Sequence, residues 1–342
     1  STGDVLAVEF ELVAYWLDDS PALTLIALYL QTATDMRLAV TDHTLAITEA
    51  SAEAQFWAWA AQGGCAIVEV GAALRLEPVD IAKPWGREIW FSGIEQRGLS
   101  GVRSETGVTP LPWLQAAMPT NNLGGQGDVV LLKILDPLAE PVRGDLYFEL
   151  HQHKREVYVV THVDLEAYPD GIGYIRYGFD PRQIAAAGSE ERFRRSYLAA
   201  VKAYERTRRE IDGLSSAPPD ALLERERRER EYMDSFSCLR PLKAGDVVQV
   251  PLHLPHALQH GVRVIEFQTP VYERMILSFA QRVLTQQHWD TETALATALL
   301  QPPAERPALI VLEEEGVLVQ QIADFEEFSV LRFSLDAVSY TH

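Results

Sequence analysis

Six of the nine histidines in this 342-residue chain fall in two short windows: His151, His153 and His162, then His253, His256 and His260. Both windows lie in β-type sequence. Side chains at i and i+2 of a strand point to the same face, so imidazoles and carboxylates spaced this way gather on one wall of a sheet. Clustering of that kind is how a β-barrel builds an interior metal site. Any one of these histidines alone reads as a satisfied core or surface residue. Two windows with matching spacing favour a metal.

The first window reads GDLYFELHQHKREVYVV. Glu149 and His151 share a strand face, a short turn brings the chain back to Glu156, and Tyr158 follows on that same face. Two ligand pairs compete. Glu149 with His151 leaves four residues before Glu156, whereas His151 with His153 leaves only two. We take the first pair and keep His153 as the reserve ligand. The second window reads GDVVQVPLHLPHALQHG, and places His256 five residues beyond Pro251.

The rest of the chain supplies a mainly β frame with α insertions. Residues 1–80 read as an α+β module, with alternation over Val5–Leu17 and a helix over 51–62 that Ser51 caps and Gly63-Gly64 ends. Short β-type runs dominate 81–180, interrupted by a Pro-, Asn- and Gly-containing stretch, Thr106–Gly127, that reads as a long loop. Gly171-Ile172-Gly173 reads as a hairpin turn. From 181 to 237 the period becomes helical: Phe193, Tyr197, Val201 and Tyr204 form an apolar stripe, Ser189 suits a helix start, and a second charged helix follows Pro219. This predicts a two-helix insertion packed by its stripe. Its ERERRERE run alternates in sign and reads as a solvated face. Strands resume over 238–285, and 286–342 forms a C-terminal segment with three further strand patterns, a reduced second β domain.

Charge narrows the partners. With 49 acidic residues against 30 Lys plus Arg, the net charge of −19 opposes binding to a phosphate backbone. One small anion remains compatible, because a local basic pocket can oppose the global field; Lys133, Lys154, Arg155 and Arg274 are available for it. No apolar run is long enough to span a bilayer, and no basic-then-apolar leader opens the chain. Two distant cysteines, Cys65 and Cys238, build neither a disulfide scaffold nor a metal pair, so a cytoplasmic setting is expected. A homo-oligomer is left open.

The two windows resemble the paired motifs of cupins. The order of the surrounding pieces resembles type I phosphomannose isomerases over roughly residues 81 to 285: KPWGREIW (Lys83–Trp90), VVLLKILD (Val129–Asp136), ELH (Glu149–His151), KRE (Lys154–Glu156), VPLHLPHAL, VIEFQ (Val264–Gln268) and Tyr272-Glu273-Arg274. The resemblance implies a cupin (jelly-roll β-barrel) core formed by 81–180 and 238–285. It implies one divalent metal, zinc first, with Fe2+, Mn2+ or Ni2+ as alternatives, on Glu149, His151, Glu156 and His256. It implies that Lys154 helps hold the substrate, that Glu266 lies near the metal, and that Arg274 assists proton transfer. Glu149 stands where the family has Gln, His260 where it has Asn, and His253 where it has Gly, so the turn at 253 is expected to differ.

The activity so implied is aldose–ketose isomerisation of a sugar phosphate, of the mannose 6-phosphate/fructose 6-phosphate type, through an enediol. A divalent metal polarises the carbonyl and stabilises the developing oxyanion while a base shuttles the proton. Two other readings use the same scaffold: an iron-dependent cupin dioxygenase, and a non-enzymatic sugar-binding or regulatory cupin.

Overall fold

Apolar and polar residues alternate over many short runs of the chain, and there the backbone forms strands. The structure, a computed structural model, describes residues 4–46, 50–119, 129–281, 287–304 and 307–335. It is mainly β, with six helices among the described residues. The chain divides into two compact units, residues 1–81 with 89–133, and residues 82–88 with 134–342.

In the first unit, strands Asp4–Val13, Ala22–Gln31, Met36–Thr41 and Val68–Glu69 form an antiparallel sheet in that order. Helix Ala52–Gly63 buries Phe56 and Ala60 against Leu28, Leu30 and Ala39. Ser51 accepts the Ala54 N–H at its start, and Gly64 ends it in the left-handed conformation. The expected loop over 106–127 is corrected in part. Leu111–Ala117 is helical, because Pro112 stands in the first turn, where no backbone donor is required. Residues 120–127 lie outside the described residues.

Most of the barrel belongs to the second unit; its strands Val79–Lys83, Gly86–Trp90 and Leu131–Pro137 each divide between the two. One sheet runs Val247–Val250, Glu156–Val163, Val262–Gln268, Leu131–Pro137, Gly86–Trp90 and Val79–Lys83; the other runs Ser237–Leu242, Gly173–Phe179, His256–Leu258, Phe148–Leu150 and Met275–Ser278. Their facing side chains, among them Val160, Val248, Val264, Phe148, Ile175 and Leu258, share one buried core. Tyr177 ties the sheets by donating its hydroxyl to the Gln249 carbonyl at 2.6 Å. The Gly171–Gly173 turn is not a hairpin, since the strands on either side of it belong to different sheets.

The helical segment contains three helices rather than two: Pro181–Ala187, Glu190–Asp212 and Asp220–Asp234. The added one starts where Asp180 accepts the Arg182 N–H and Pro181 presets the first turn. A bulge at Gly178, whose φ of +74° favours glycine, interrupts the preceding strand just before its last residue, Phe179. Phe193, Tyr197, Val201 and Tyr204 are buried in the barrel core, where Phe193 and Tyr197 meet Phe148, Phe179 and Phe236 edge-on or tilted. Burial of this stripe stabilises a helix that is otherwise strongly polar.

Beyond helix Thr291–Thr297, strands Leu309–Glu314, Val317–Asp324 and Ser329–Leu335 make a three-stranded sheet. Ile322, Ala323 and Val330 cover Val157. The Glu156 strand therefore has two faces of opposite character. Val157 and Val159 turn toward this apolar layer, and Glu156 and Tyr158 turn inward. No helix among the described residues is long and apolar enough to cross a membrane.

Candidate metal centre

Strand register brings the two histidine windows together. Glu149 pairs with His256, Glu156 with Val250 and Gln268, and Tyr177 with His256. The loop between His151 and Glu156 is fixed at four points. His253 donates its N–H to the His151 carbonyl at 2.7 Å, and Arg155 donates its own to Thr269 Oγ1 at 3.1 Å. Glu273 accepts the N–H groups of Gln152 and His153 at 2.7 and 2.8 Å.

His151, Glu156 and His256 are all buried, and their donor atoms lie within 4.8 Å of one another. His151 Nε2 is 3.4 Å and His256 Nε2 is 3.2 Å from Glu156 Oε2. Donor atoms around a tetrahedral metal with bonds of about 2.0–2.1 Å are themselves roughly 3.3–3.4 Å apart. His256 Nδ1 lies 3.1 Å from the Leu254 carbonyl, which accepts only if Nδ1 carries the proton. With Nδ1 so engaged, Nε2 is the ring atom turned toward the carboxylate, the atom a metal would take. Neither ring nitrogen of His151 has a hydrogen-bond partner, although both are buried. Two imidazoles, one of them with both nitrogens orphaned, and a carboxylate fit a divalent transition metal.

The surrounding charges are arranged for the ionised carboxylate. Lys154 Nζ binds Glu156 Oε1 at 2.6 Å, and Tyr158 donates its hydroxyl to Oε2 at 3.0 Å. Burial alone raises the Glu156 carboxyl, but Lys154 and His151 outweigh it and hold it well below the usual range. Burial, then the Lys154 ammonium, keep the His151 imidazole below its ordinary value. Burial, then Glu156 and Glu266, drive the Tyr158 phenol well above its own.

The remaining sequence candidates fall at different distances from this centre. Glu149 Oε1 lies 3.7 Å from His151 Nε2, and its Oε2 is buried without a partner, so it stands at the edge of the cluster. His153, the reserve ligand, is exposed and outside it, because Glu273 holds its backbone. His162 is exposed. His260 sits in a separate pair, its Nδ1 2.6 Å from Asp145 Oδ1, and stacks on Tyr168. His253 corrects the expectation of a changed turn: it adopts a left-handed φ of 64° itself. Glu266 is buried opposite Tyr158 in the register. Arg274 is exposed, with its guanidinium 4.5 Å above the Tyr147 ring. Trp85 and Lys133 are buried, Trp85 within the barrel core. The sequence reading missed Glu273, whose capping of the ligand loop depends on a contact over 120 residues away in the chain and leaves no local pattern.

A double-stranded β-barrel carrying an interior His–Glu–His cluster is the class that fold and site define. In fold the chain is similar to solved structures of phosphomannose isomerases, which have the cupin fold. It superposes on the mannose 6-phosphate isomerase from Bacillus subtilis with a TM-score of 0.55 at 16% identity, covering 77% of this chain and 80% of that one. A zinc-bound mannose 6-phosphate isomerase matches with a TM-score of 0.50 at 13% identity, over 75% of this chain and 82% of that one. No protein-family model and no curated protein matches the chain by sequence.

Proposed function

We propose that the protein is a divalent-metal-dependent aldose–ketose isomerase acting on a sugar phosphate, with mannose 6-phosphate and fructose 6-phosphate as the first pair to test. The observation that carries this reading is the open His151–Glu156–His256 cluster inside a barrel of this fold. His151, Glu156 and His256 would hold the metal, with Glu149 as a fourth ligand. When bound, the metal supplies charge stabilisation for the oxyanion that develops as the carbonyl enolises.

The chain's own groups do the rest. Glu266, a buried carboxylate beside Tyr158, is assigned to carry the proton between neighbouring carbons, with Arg274 assisting that transfer. Lys154 keeps Glu156 ionised and adds a cation for an anionic substrate. Neutralising Lys154 is expected to raise KM for the phosphorylated sugar, and removing Arg274 to lower kcat. The assay is interconversion of mannose 6-phosphate and fructose 6-phosphate by metal-replete protein, lost in His256→Ala. A folded, metal-loaded protein that isomerises no aldose or ketose phosphate overturns the assignment.

A second reading rests on the donor set itself, because two histidines and one carboxylate also suit ferrous iron in oxygenases. Iron recovered from protein purified without added metal, together with substrate-dependent oxygen uptake, would favour it over the isomerase.

A further inference from the structure

The strands paired with those that carry Glu156 and His256, Val247–Val250 and Gly173–Phe179, also border a second space. A cavity of about 730 Å³ lies between the edge of the barrel and the C-terminal sheet, with Arg155, Tyr177, Arg240, Gln249, Asp324 and Phe325 among its walls. None of the candidate metal-binding residues lines it. Its size is that of a small-molecule site.

Two cations are fixed in these walls. Arg155 lies 5.6 Å from the centre of the Phe325 ring, and Arg240 lies 5.4 Å from that of Tyr177. A contact of this kind engages the face of the guanidinium and leaves its edge, the N–H fork that matches phosphate, to polar partners. Arg155 shares part of that edge with Glu327, 3.2 Å from its Nε. The Glu327 side chain is 43% exposed, so it is partly solvated, and an incoming dianion can compete with it. Gln249 spends its amide N–H on the Ile322 carbonyl and keeps its carbonyl oxygen as an acceptor. Asp324 adds a carboxylate that accepts from hydroxyls and opposes a second anionic group. Cations, hydroxyl acceptors and aromatic faces thus surround one space, in a chain whose net charge is −19.

We propose that this cavity binds a small phosphomonoester with a hydroxylated body, separately from the metal centre. The phosphate takes Arg155 and Arg240, and the hydroxyls take Asp324 and Gln249. The site adjoins both ligand-bearing strands, since Arg155 precedes Glu156 and Tyr177 pairs with His256 in the register.

The test is calorimetric titration of the full chain with fructose 6-phosphate, inorganic phosphate and fructose, in wild type, Arg155→Gln, Arg240→Gln, Arg240→Lys and His256→Ala. Wild type and His256→Ala are expected to bind both phosphates but not fructose. Combined with His256→Ala, which removes the metal centre as a competing site, each Gln substitution should weaken phosphate binding at least tenfold, with Arg240→Lys in between. Circular dichroism confirms that the variants remain folded. Binding lost in His256→Ala but intact in both Gln variants assigns the phosphate to the metal centre and overturns the proposal. So does the absence of binding at millimolar phosphate, or fructose binding as tightly as its phosphate. Isomerase activity enters none of these outcomes, so failure of that reading remains a separate result.

Discussion

Two clusters of ionisable side chains sit in the same barrel, and they differ in what they leave unpaired. Around Asp145 every group finds a protein partner. His260 donates to Asp145 from both its backbone and its ring, and Arg176 reaches Asp234 and Ser237. No buried polar atom of these five residues lacks a hydrogen bond. Around Glu156, by contrast, both His151 nitrogens and Glu149 Oε2 are buried without one. Leaving such groups unsatisfied costs about 1–3 kcal/mol each. The first cluster is complete as folded and reads as structure. The second is left with donor atoms to spare, and reads as a site.

The sharpest way to break this contrast is to remove a ring from each cluster and count metal. His256→Ala is expected to take bound metal from near one per chain to near zero, while His260→Ala leaves it near one. Elemental analysis after dialysis against a weak chelator measures both. Equal metal in wild type and His256→Ala would mean that the open cluster is not the site.

Glu273 tests whether the open cluster depends on its support. Its two oxygens hold the N–H groups of Gln152 and His153, and these contacts outweigh burial to keep its carboxyl below the ordinary range. Groups that orient ligands without touching the metal typically contribute 10–100-fold in affinity. Glu273→Ala is therefore expected to weaken metal binding by about tenfold or more in a competition titration with a chromophoric chelator. Unchanged affinity would show that the loop is held well enough by His253 and Thr269 alone.

What could be read in the sequence follows the range of the interactions. The spacing within each window, Glu149, His151 and Glu156 in one and Pro251 and His256 in the other, is local, so it could be read; strand register then brings the two windows together. The apolar stripe on helix Glu190–Asp212 was equally legible, since burial follows the helical period. Roles set by distant partners were not. Whether His260 faces a metal or a carboxylate depends on Asp145, 115 residues away. His153 has the spacing of a ligand, yet Glu273 fixes its backbone and its side chain stays outside. The turn at His253 was misjudged because histidine, unlike β-branched residues, tolerates the left-handed region when its surroundings hold it there.

The closed cluster should show itself in stability rather than in metal content. Burial raises the Asp145 carboxyl, but the His260 contacts more than offset this and its value is held below the ordinary one. A depressed carboxylate contributes stability above its unfolded value, near pH 4, and loses it as pH falls toward the folded value. Asp145→Asn is therefore expected to cost about 1–3 kcal/mol at neutral pH. The gap to wild type should narrow on acidification below about pH 4 in urea unfolding. A gap that widens there reverses the assigned sign.

The smallest effect belongs to His253, which stands between the two kinds of cluster. Its backbone carries a left-handed φ of 64°, and its Nδ1 is buried without a hydrogen bond, yet it is not among the candidate ligands. Backbone strain of this kind costs on the order of 1 kcal/mol, and glycine removes it. Against that, glycine gives the unfolded chain more freedom, worth about 0.4–1 kcal/mol in the opposite direction. Loss of the orphaned nitrogen tips the balance toward stabilisation. His253→Gly should thus raise the melting temperature by a few degrees at most, with metal content unchanged, because the N–H that holds the His151 carbonyl is retained. A lower melting temperature would show that packing of the imidazole outweighs the strain. Loss of metal would place His253 in the open cluster, where its unpaired Nδ1 would count as a further donor.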